Sequence, residues 1–574
     1  MKKKLLPALI VTGLIILVVI IMGITALINK YTPTKKTEDL KEYFNISSDD
    51  EAALIVNNEL SDYKAKIIDK KIYVDYKFVH DSLNSRFYWD ANENVLLYTT
   101  ASDIISAAAD SNSYSVTKQT NDFGYPIVKA TSDSALIALD YVKQYSNITF
   151  KSYDDPARIV ITSKWDEIDS ATVSKSTQVR VKGGIKSPIL KEVKKDDKIT
   201  ILDSGDKWDK VATEDGVIGY IKRKALSESK KTKLTNPDYE EETFTHIKKD
   251  KDICLAWNQV TSQSANSKVP QVISSTKGIN VMSPTWFYLN DNNGNLADIA
   301  SKDYVSYCHS QGIEVWGLFS NFENTDVDAA YVLTHTSTRT TLINQIMSAA
   351  FNYELDGVNI DFENITEAAY GDSYIEFIRE LAIKCHNNGI SLSVDVTVPA
   401  SFNKFFNRSD MANFADYIVI MGYDEHYKGS DAGSVSSIPW VTEGVESTLK
   451  EVPADQIILG MPFYTRIWEL TPKEDDDAVT DQSKYTVASQ VYSMDAAAAQ
   501  LATNNATAAL DEESGQNYAE WSVSNKLYKV WLEDTTSLEK RLKLVDDNKL
   551  AGAAFWKLGF ENSSVWDTVI KYLN

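Results

Sequence analysis

The chain has 574 residues, 43% of them hydrophobic, and 81 acidic side chains against 59 basic ones give a formal net charge of −22. That length exceeds what one core fills and points to several domains, while the apolar content is that of folded protein and excludes a disordered polymer. The negative balance excludes a nucleic-acid partner held through its phosphates and suits a neutral substrate; 12 Trp and 30 Tyr offer flat apolar faces, for a core or for sugar rings.

The first element follows Lys2, Lys3 and Lys4 and runs uncharged from Leu5 to Ile28. It is long enough to span a hydrocarbon core of about 30 Å, and longer than the apolar core of a signal peptide, about 7–15 residues. Residues 5–28 are therefore predicted to be a transmembrane anchor, a cleaved signal being the alternative. The basic start places the N-terminus in the cytoplasm and the body outside.

After a polar spacer, residues 41–162 mix helical patterns with strand-like runs such as KIYVDYKFV and NVLLYTT. Lys71–Thr100 is loosely echoed by Ala135–Thr162, each with a helical pattern, an aromatic strand and an aliphatic strand. This α+β region resembles the copper-amine-oxidase-like N-terminal domain that serves as a stalk on bacterial envelope proteins. The family name implies no copper, and no His cluster offers a site. Residues 168–228 read as short strands and turns, a small all-β barrel. Through Arg180, Trp208, Val211, Gly216, Gly219 and Tyr220 they resemble a bacterial Src-homology-three domain, a module that binds cell-wall peptide or acts as a spacer. The charged stretch SESKKTKLTNPDYEEE then reads as a linker.

From 243 to 574, eight apolar runs alternate with helical segments: ICLAWNQV, INVMSPTWFYL, IEVWGLFSNF, DGVNIDFEN, ISLSVDVTV, YIVIMGYDE, IILGMPFY and AGAAFWKLG. Eight such units predict a TIM (β/α)8 barrel, with its chemistry at the C-terminal strand ends. Cys308 and Cys385 lie in YCHSQGIEVWG and KCHNNGISLSV, each a helix running into a glycine cap (Gly312, Gly389) and then a buried strand. Their neighbours His309 and His386 read as helix C-terminal residues rather than ligands. Three scattered cysteines make neither a disulfide framework nor a zinc site, and all three are expected in the core.

In the fourth run, alternate residues Asn359, Asp361 and Glu363 share one face while Ile360 and Phe362 turn away. Two carboxylates side by side at a strand end repel each other and lose water, which raises a pKa toward what a general acid needs. The run resembles the D-x-x-D-x-D-x-E signature of glycoside hydrolase family 18, the chitinase and N-acetylglucosaminidase family. Met421-Gly-Tyr423-Asp424 matches its M-x-Y-D, and Tyr464, Arg466 and Trp556 fall on the seventh and eighth runs as the family has them.

The resemblance implies retaining hydrolysis of a β-linked N-acetylhexosamine, assisted by the substrate itself. Glu363 would protonate the leaving oxygen and later activate water. Asp361 would hold the acetamido nitrogen, Tyr423 would steady the acetamido oxygen, and Trp556 would floor the sugar. Asn359, Asp424, Tyr464 and Arg466 are expected substrate-binding residues, and no metal or organic cofactor is implied. One position departs from the signature, because Asn359 replaces its second acid; it can hydrogen-bond Asp361 but cannot take its charge. NIDFEN and MGYDEH, with Glu425 and His426, are closer to the spore-cortex and cell-wall branch than to the chitin-degrading one. His426 is as readily a loop residue as a cleft residue.

The partner expected is an N-acetylglucosamine-containing glycan of the peptidoglycan or chitin type, met by an extracytoplasmic domain of a single-pass protein of the bacterial envelope. A chito-oligosaccharide hydrolase and a non-catalytic glycan binder are the alternatives. Between the last two runs, EDDDAV and a predicted strand pair plus helix in NYAEWSVSNKLYKVWLEDTTS suggest a wall to the cleft.

Overall fold

A computed structural model describes residues 5–363, 365, 370–473 and 485–573. The acidic run 474–479 and Asn364 of the expected signature lie outside the described residues. The chain forms two compact units, one of residues up to 87, 107–114 and 121–241, the other of 88–106, 115–120 and 242–574.

The first unit begins with the helix Leu5–Tyr31, in which Pro7–Tyr31 has a mean hydropathy of 2.9, enough by length and composition to cross a membrane. Two seven-stranded sheets follow. One contains Glu51–Val56 beside Arg158–Thr162 in parallel register; the other is an antiparallel sheet between Glu167 and Lys233. Their apolar sides meet in one core, where Phe44, Ala53 and Ile55 pack with Val179, Leu190, Val211 and Ile221. Arg158 and Lys191 both neutralise the carboxylate of Asp215 at that seam.

The second unit is built on a closed parallel barrel, and each of the eight apolar runs supplies one strand. These are β1 Ile253–Asn258, β2 Val281–Leu289, β3 Glu314–Ser320, β4 Gly357–Asp361, β5 Ser391–Thr397, β6 Tyr417–Met421, β7 Ile457–Pro462 and β8 Gly552–Trp556. Parallel pairing runs β1–β2–β3–β4–β5–β6–β7–β8, and β8 pairs back to β1 through Ile253↔Gly552. Alternation divides each strand. Ile253, Leu255, Trp257, Trp316, Leu318, Tyr417, Val419 and Ile458 fill the inside, while Val358, Ile360 and Phe362 pack outward into the main core.

Helices α1 Thr336–Tyr353 and α2 Gly371–His386 flank β4 in sequence. Gly312 and Gly389 take left-handed backbone (φ +72° and +69°) between a helix and the next strand, as the glycine-cap pattern predicts. His309 and His386 then bind the carboxylates of Asp356 and Asp416 at 2.8 and 3.0 Å, which seats each helix end beside a strand entrance. All three cysteines are buried and unbonded.

Residues 88–106, although they precede the barrel by some 150 positions, brace α1 and α2. Tyr88 exchanges a hydrogen bond with Ser373 (2.8 Å), Thr99 donates to Glu376 (2.7 Å), and Asp90 accepts from the amide and hydroxyl of Thr336 at 2.7 and 2.6 Å. Arg339, fully buried, lies over the Tyr88 ring and donates to Glu380 at 2.8 Å.

Between β7 and β8 a five-stranded antiparallel sheet is inserted. Its strands Gln516–Val523 and Lys526–Leu532, followed by the helix Thr535–Asn548, are the pair and helix read from the sequence. Glu533 and Arg541 tie this insertion to the barrel by a bidentate ion pair at 2.7 and 2.8 Å, and Arg541 also donates to the carbonyl of Ser436.

Candidate active site

Because β4 alternates, Asn359 and Asp361 point into the barrel and Glu363 emerges beyond the strand end. Their depths differ. Asn359 is fully buried, Asp361 is 5% exposed, and Glu363 opens to solvent. The Glu363 amide donates to Asn321 Oδ1 at 3.1 Å, so the loop after β3 fixes the backbone that carries the acid. In that loop Ser320 donates to both carboxylate oxygens of Glu323 at 2.7 Å.

The Glu363 side chain reaches solvent, yet the protein around its carboxyl strips away enough water to raise its pKa, and the charges of Asp424 and Glu323 raise it further. Burial also lifts Asp361 well above the carboxylate range, helped by Asp395, Glu363 and Glu323. Asp361 Oδ1 is buried without a hydrogen-bond partner. A buried acceptor left open is costly unless something else completes it, and this one belongs to the last residue of β4, at the C-terminal end of the barrel.

Tyr423 and Asp424 follow β6 directly. Tyr423 packs edge-on against Trp257, with ring centroids 6.4 Å apart. Its phenol is pushed well above its ordinary value by burial, then by the charges of Asp361 and Asp395. Asp424 has left-handed backbone, φ +62°, at the turn out of the strand. Tyr464 donates to Asp424 Oδ1 at 2.5 Å, and Arg466 Nη2 stands 4.0 Å from the same oxygen. Arg466 also donates to Ser489 at 3.1 Å. Trp556 ends β8, half-buried, with its ring 5.9 Å from that of Trp257 at 62°. The structure thus gathers Asp361, Glu363, Tyr423, Asp424, Tyr464, Arg466 and Trp556 around one mouth.

Asn359 behaves differently from the expectation that it bonds Asp361 and contacts substrate. Its Oδ1 accepts from Trp257 Nε1 and Ser283 Oγ, both at 3.0 Å, and its Nδ2 donates to Ser393 Oγ (3.1 Å) and Asp395 Oδ1 (2.7 Å). All of its hydrogen-bonding capacity is used by β1, β2 and β5, beneath the cleft. His426 is a loop residue: its Nδ1 meets the carbonyl of Asp431, and its ring occupies the space a side chain at Gly433 would need. Glu425 accepts from the amide and hydroxyl of Ser437 at 2.7 and 2.9 Å and shapes the same loop.

Asp395 on β5 was missed by the sequence reading. It is 3% exposed, and burial followed by the Glu363 charge lifts its pKa well above the usual range, against the Asn359 hydrogen bond that lowers it. A lone acid in the apolar run ISLSVDVTV is the signal that would have found it. Among the described residues no cluster of three or more His, Cys, Asp or Glu is placed to hold a metal ion.

The model of the family "Glycosyl hydrolases family 18" matches residues 316–561. The chain is 24% identical over 299 residues to the glycosylase YvbX of Bacillus subtilis, covering 49% of this chain and 81% of that protein. It is 25% identical over 290 residues to the cortical fragment-lytic enzyme of the same organism, covering 48% of this chain and 63% of that protein. The spore cortex-lytic enzyme SleL of Bacillus cereus shares the barrel fold, with a TM-score of 0.50 at 19% identity over 57% of this chain and 76% of that one. The greater part of the C-terminal barrel, residues 316–561, thus matches the glycoside hydrolase family 18 model, and the protein is a glycoside hydrolase.

Proposed function

We propose that this enzyme cleaves β-linked N-acetylglucosaminyl bonds of cell-wall peptidoglycan with retention, using the substrate's own acetamido group as nucleophile. The observation that carries the reading is the open buried oxygen of Asp361 beside Glu363. An acetamido N–H is a donor of the right kind for that acceptor. Held there, it turns the acetamido oxygen toward the sugar's C1. Glu363, its pKa raised by desolvation and by the charges of Asp424 and Glu323, delivers its proton to the leaving oxygen. Tyr423 donates to the acetamido oxygen, and Trp556 supplies an apolar floor for the reacting sugar.

Similarity to a cortical fragment-lytic enzyme supports a wall glycan as substrate. The apolar helix Leu5–Tyr31 supports an exported, membrane-anchored placement. Residues 41–162 and 168–228, by their resemblance to stalk and Src-homology-three domains, suit a spacer and a wall-binding module.

The test incubates the full chain in detergent with purified peptidoglycan and, separately, with chitin oligomers, each beside a Glu363→Gln control. Mass spectrometry then reads the products. New reducing-end N-acetylglucosamine from peptidoglycan, absent in the control, is the expected result. Cleavage of chitin oligomers alone would reassign the substrate, and cleavage undiminished in the control would remove Glu363 from its role.

A further inference from the structure

Asn359 and Asp395 face each other across β4 and β5, whose parallel register pairs Asn359 with Ser393 and Ile360 with Val394. One further step along both strands brings Asp361 level with Asp395. Asn359 Nδ2 donates to one oxygen of Asp395 at 2.7 Å. Asp361 presents a buried oxygen with no hydrogen-bond partner. The two acids thus fall at neighbouring positions of adjacent strands, 5% and 3% exposed, where a charge on Asp395 opposes a charge on Asp361.

The amide at 359 has a physical reason. An acid there would set its own carboxylate against that of Asp395 at hydrogen-bond distance, whereas the amide supplies the donor that Asp395 accepts. Trp257 and Ser283 hold the other end of the amide and leave it no freedom to turn.

We propose that Asp395 is a positioning residue that shares one proton with Asp361, so that the carboxylate absent from position 359 is provided by the neighbouring strand. The proposal rests on reading the site as a retaining hydrolase. In the free enzyme the Asn359 hydrogen bond favours the anion of Asp395, and Asp361 carries the proton. As the acetamido oxygen bonds to C1, the bond from C1 to the leaving oxygen breaks and Glu363 gives that oxygen its proton. Positive charge then develops on the acetamido nitrogen. The Asp361 proton passes to Asp395, the pair keeps its single negative charge, and the Asp361 carboxylate faces the N–H. When water attacks C1, the bond from C1 to the acetamido oxygen breaks, the water gives a proton to Glu363, the nitrogen loses its positive charge, and Asp395 returns its proton to Asp361. The charged and titratable groups facing the pair are Glu363 and Glu323, with the phenols of Tyr374 and Tyr423. The buried Tyr374 hydroxyl has no hydrogen-bond partner either.

The first test is spectroscopic and needs no turnover. The full chain in detergent carries Glu363→Gln, which removes the acid's own proton, and infrared difference titration follows the carbonyl band of a protonated carboxyl group. Adding Asp395→Asn removes the neighbouring negative charge, so the band is expected to vanish at lower pH. Adding Asn359→Asp as well is expected to move it back up. A transition that does not move with Asp395→Asn overturns the proposal. The second test is kinetic. With Glu363 intact, Asp395→Asn is expected to lower kcat about tenfold or more, to leave KM within about threefold and to shift the pH optimum. Asparagine at 395 can still accept from Asn359, so a purely structural role leaves kcat and the pH profile unchanged, and that result also overturns the proposal. If the natural chain cleaves neither glycan, the proposed reaction fails, while the infrared titration still decides the pair.

Discussion

Tyr464 donates its hydroxyl to Asp424 Oδ1 at 2.5 Å, while the Asp424 charge in turn raises the pKa of Glu363. The hydrogen bond fixes where the Asp424 carboxylate stands, and its negative charge resists ionisation of Glu363. Removing the charge has a definite sign. In Asp424→Asn, Glu363 loses a negative neighbour, its pKa falls, and the fraction still protonated at neutral pH shrinks. The alkaline limb of kcat/KM is expected to move to lower pH, with activity at mildly acidic pH less affected than at pH 8. Full pH–rate profiles of both proteins check this; an unmoved limb would show that Asp424 acts on the sugar alone.

Asp361 should lower stability as well as drive chemistry. Its folded-state pKa is raised, mainly by burial. A carboxyl of that kind contributes its stability below the unfolded value, and the contribution is lost as pH rises through the folded value. Asp361→Asn removes the titrating group at the same size. It is expected to raise the thermal midpoint of the barrel by a few degrees at pH 7.5, to change it little at pH 4, and to abolish most turnover. Calorimetry at both pH values reads the difference; equal shifts at both would assign the effect to packing.

How much of this was legible in the sequence varies with the range of the interaction. Every barrel strand could be read, because an apolar run bounded by turns and helix caps is local information. Asp361 and Glu363 were legible through their alternation on one strand, and Tyr423 and Asp424 through the turn that follows β6. Asp395 was not, because its meaning depends on lying beside Asn359 and Asp361 on another strand, 34 residues or more away. The binding of residues 88–106 to α1 and α2 was equally invisible. Tyr88, Asp90 and Thr99 looked like members of a local strand repeat, and only tertiary contact with Ser373, Thr336 and Glu376 gives them a role.

The Arg541–Glu533 pair anchors the insertion and is 1% exposed on both sides. Arg541 also holds the carbonyl of Ser436 with two nitrogens, in the loop that Ser437 ties to Glu425. Breaking a buried pair by removing one partner costs about 3–5 kcal/mol, since the other charge stays buried. Arg541→Met is therefore expected to destabilise the barrel by an amount in that range and to raise KM through the loosened Glu425 loop. Denaturant unfolding and steady-state kinetics measure the two effects. A stable variant with unchanged KM would mean that the insertion is held elsewhere.

Three exposed aromatics stand beyond the C-terminal strand ends: Phe322 after β3, Phe402 in the short 3-10 helix Ser401–Phe406 after β5, and Tyr427 after β6. Phe402 is 78% exposed, so the rest of the chain gives its ring almost no cover. A flat apolar face beside a sugar-cleaving centre gains by stacking on further rings of a long glycan, about 1 kcal/mol for each ring covered. Phe402→Ala is accordingly expected to raise KM several-fold on long glycan strands, to leave KM on the shortest cleaved oligomer unchanged, and to alter kcat little on either. Comparing a length series of oligomers in the two proteins decides it. A KM that rises equally at every length would place Phe402 at the reacting sugar, and one that rises at none would leave the ring outside the glycan path.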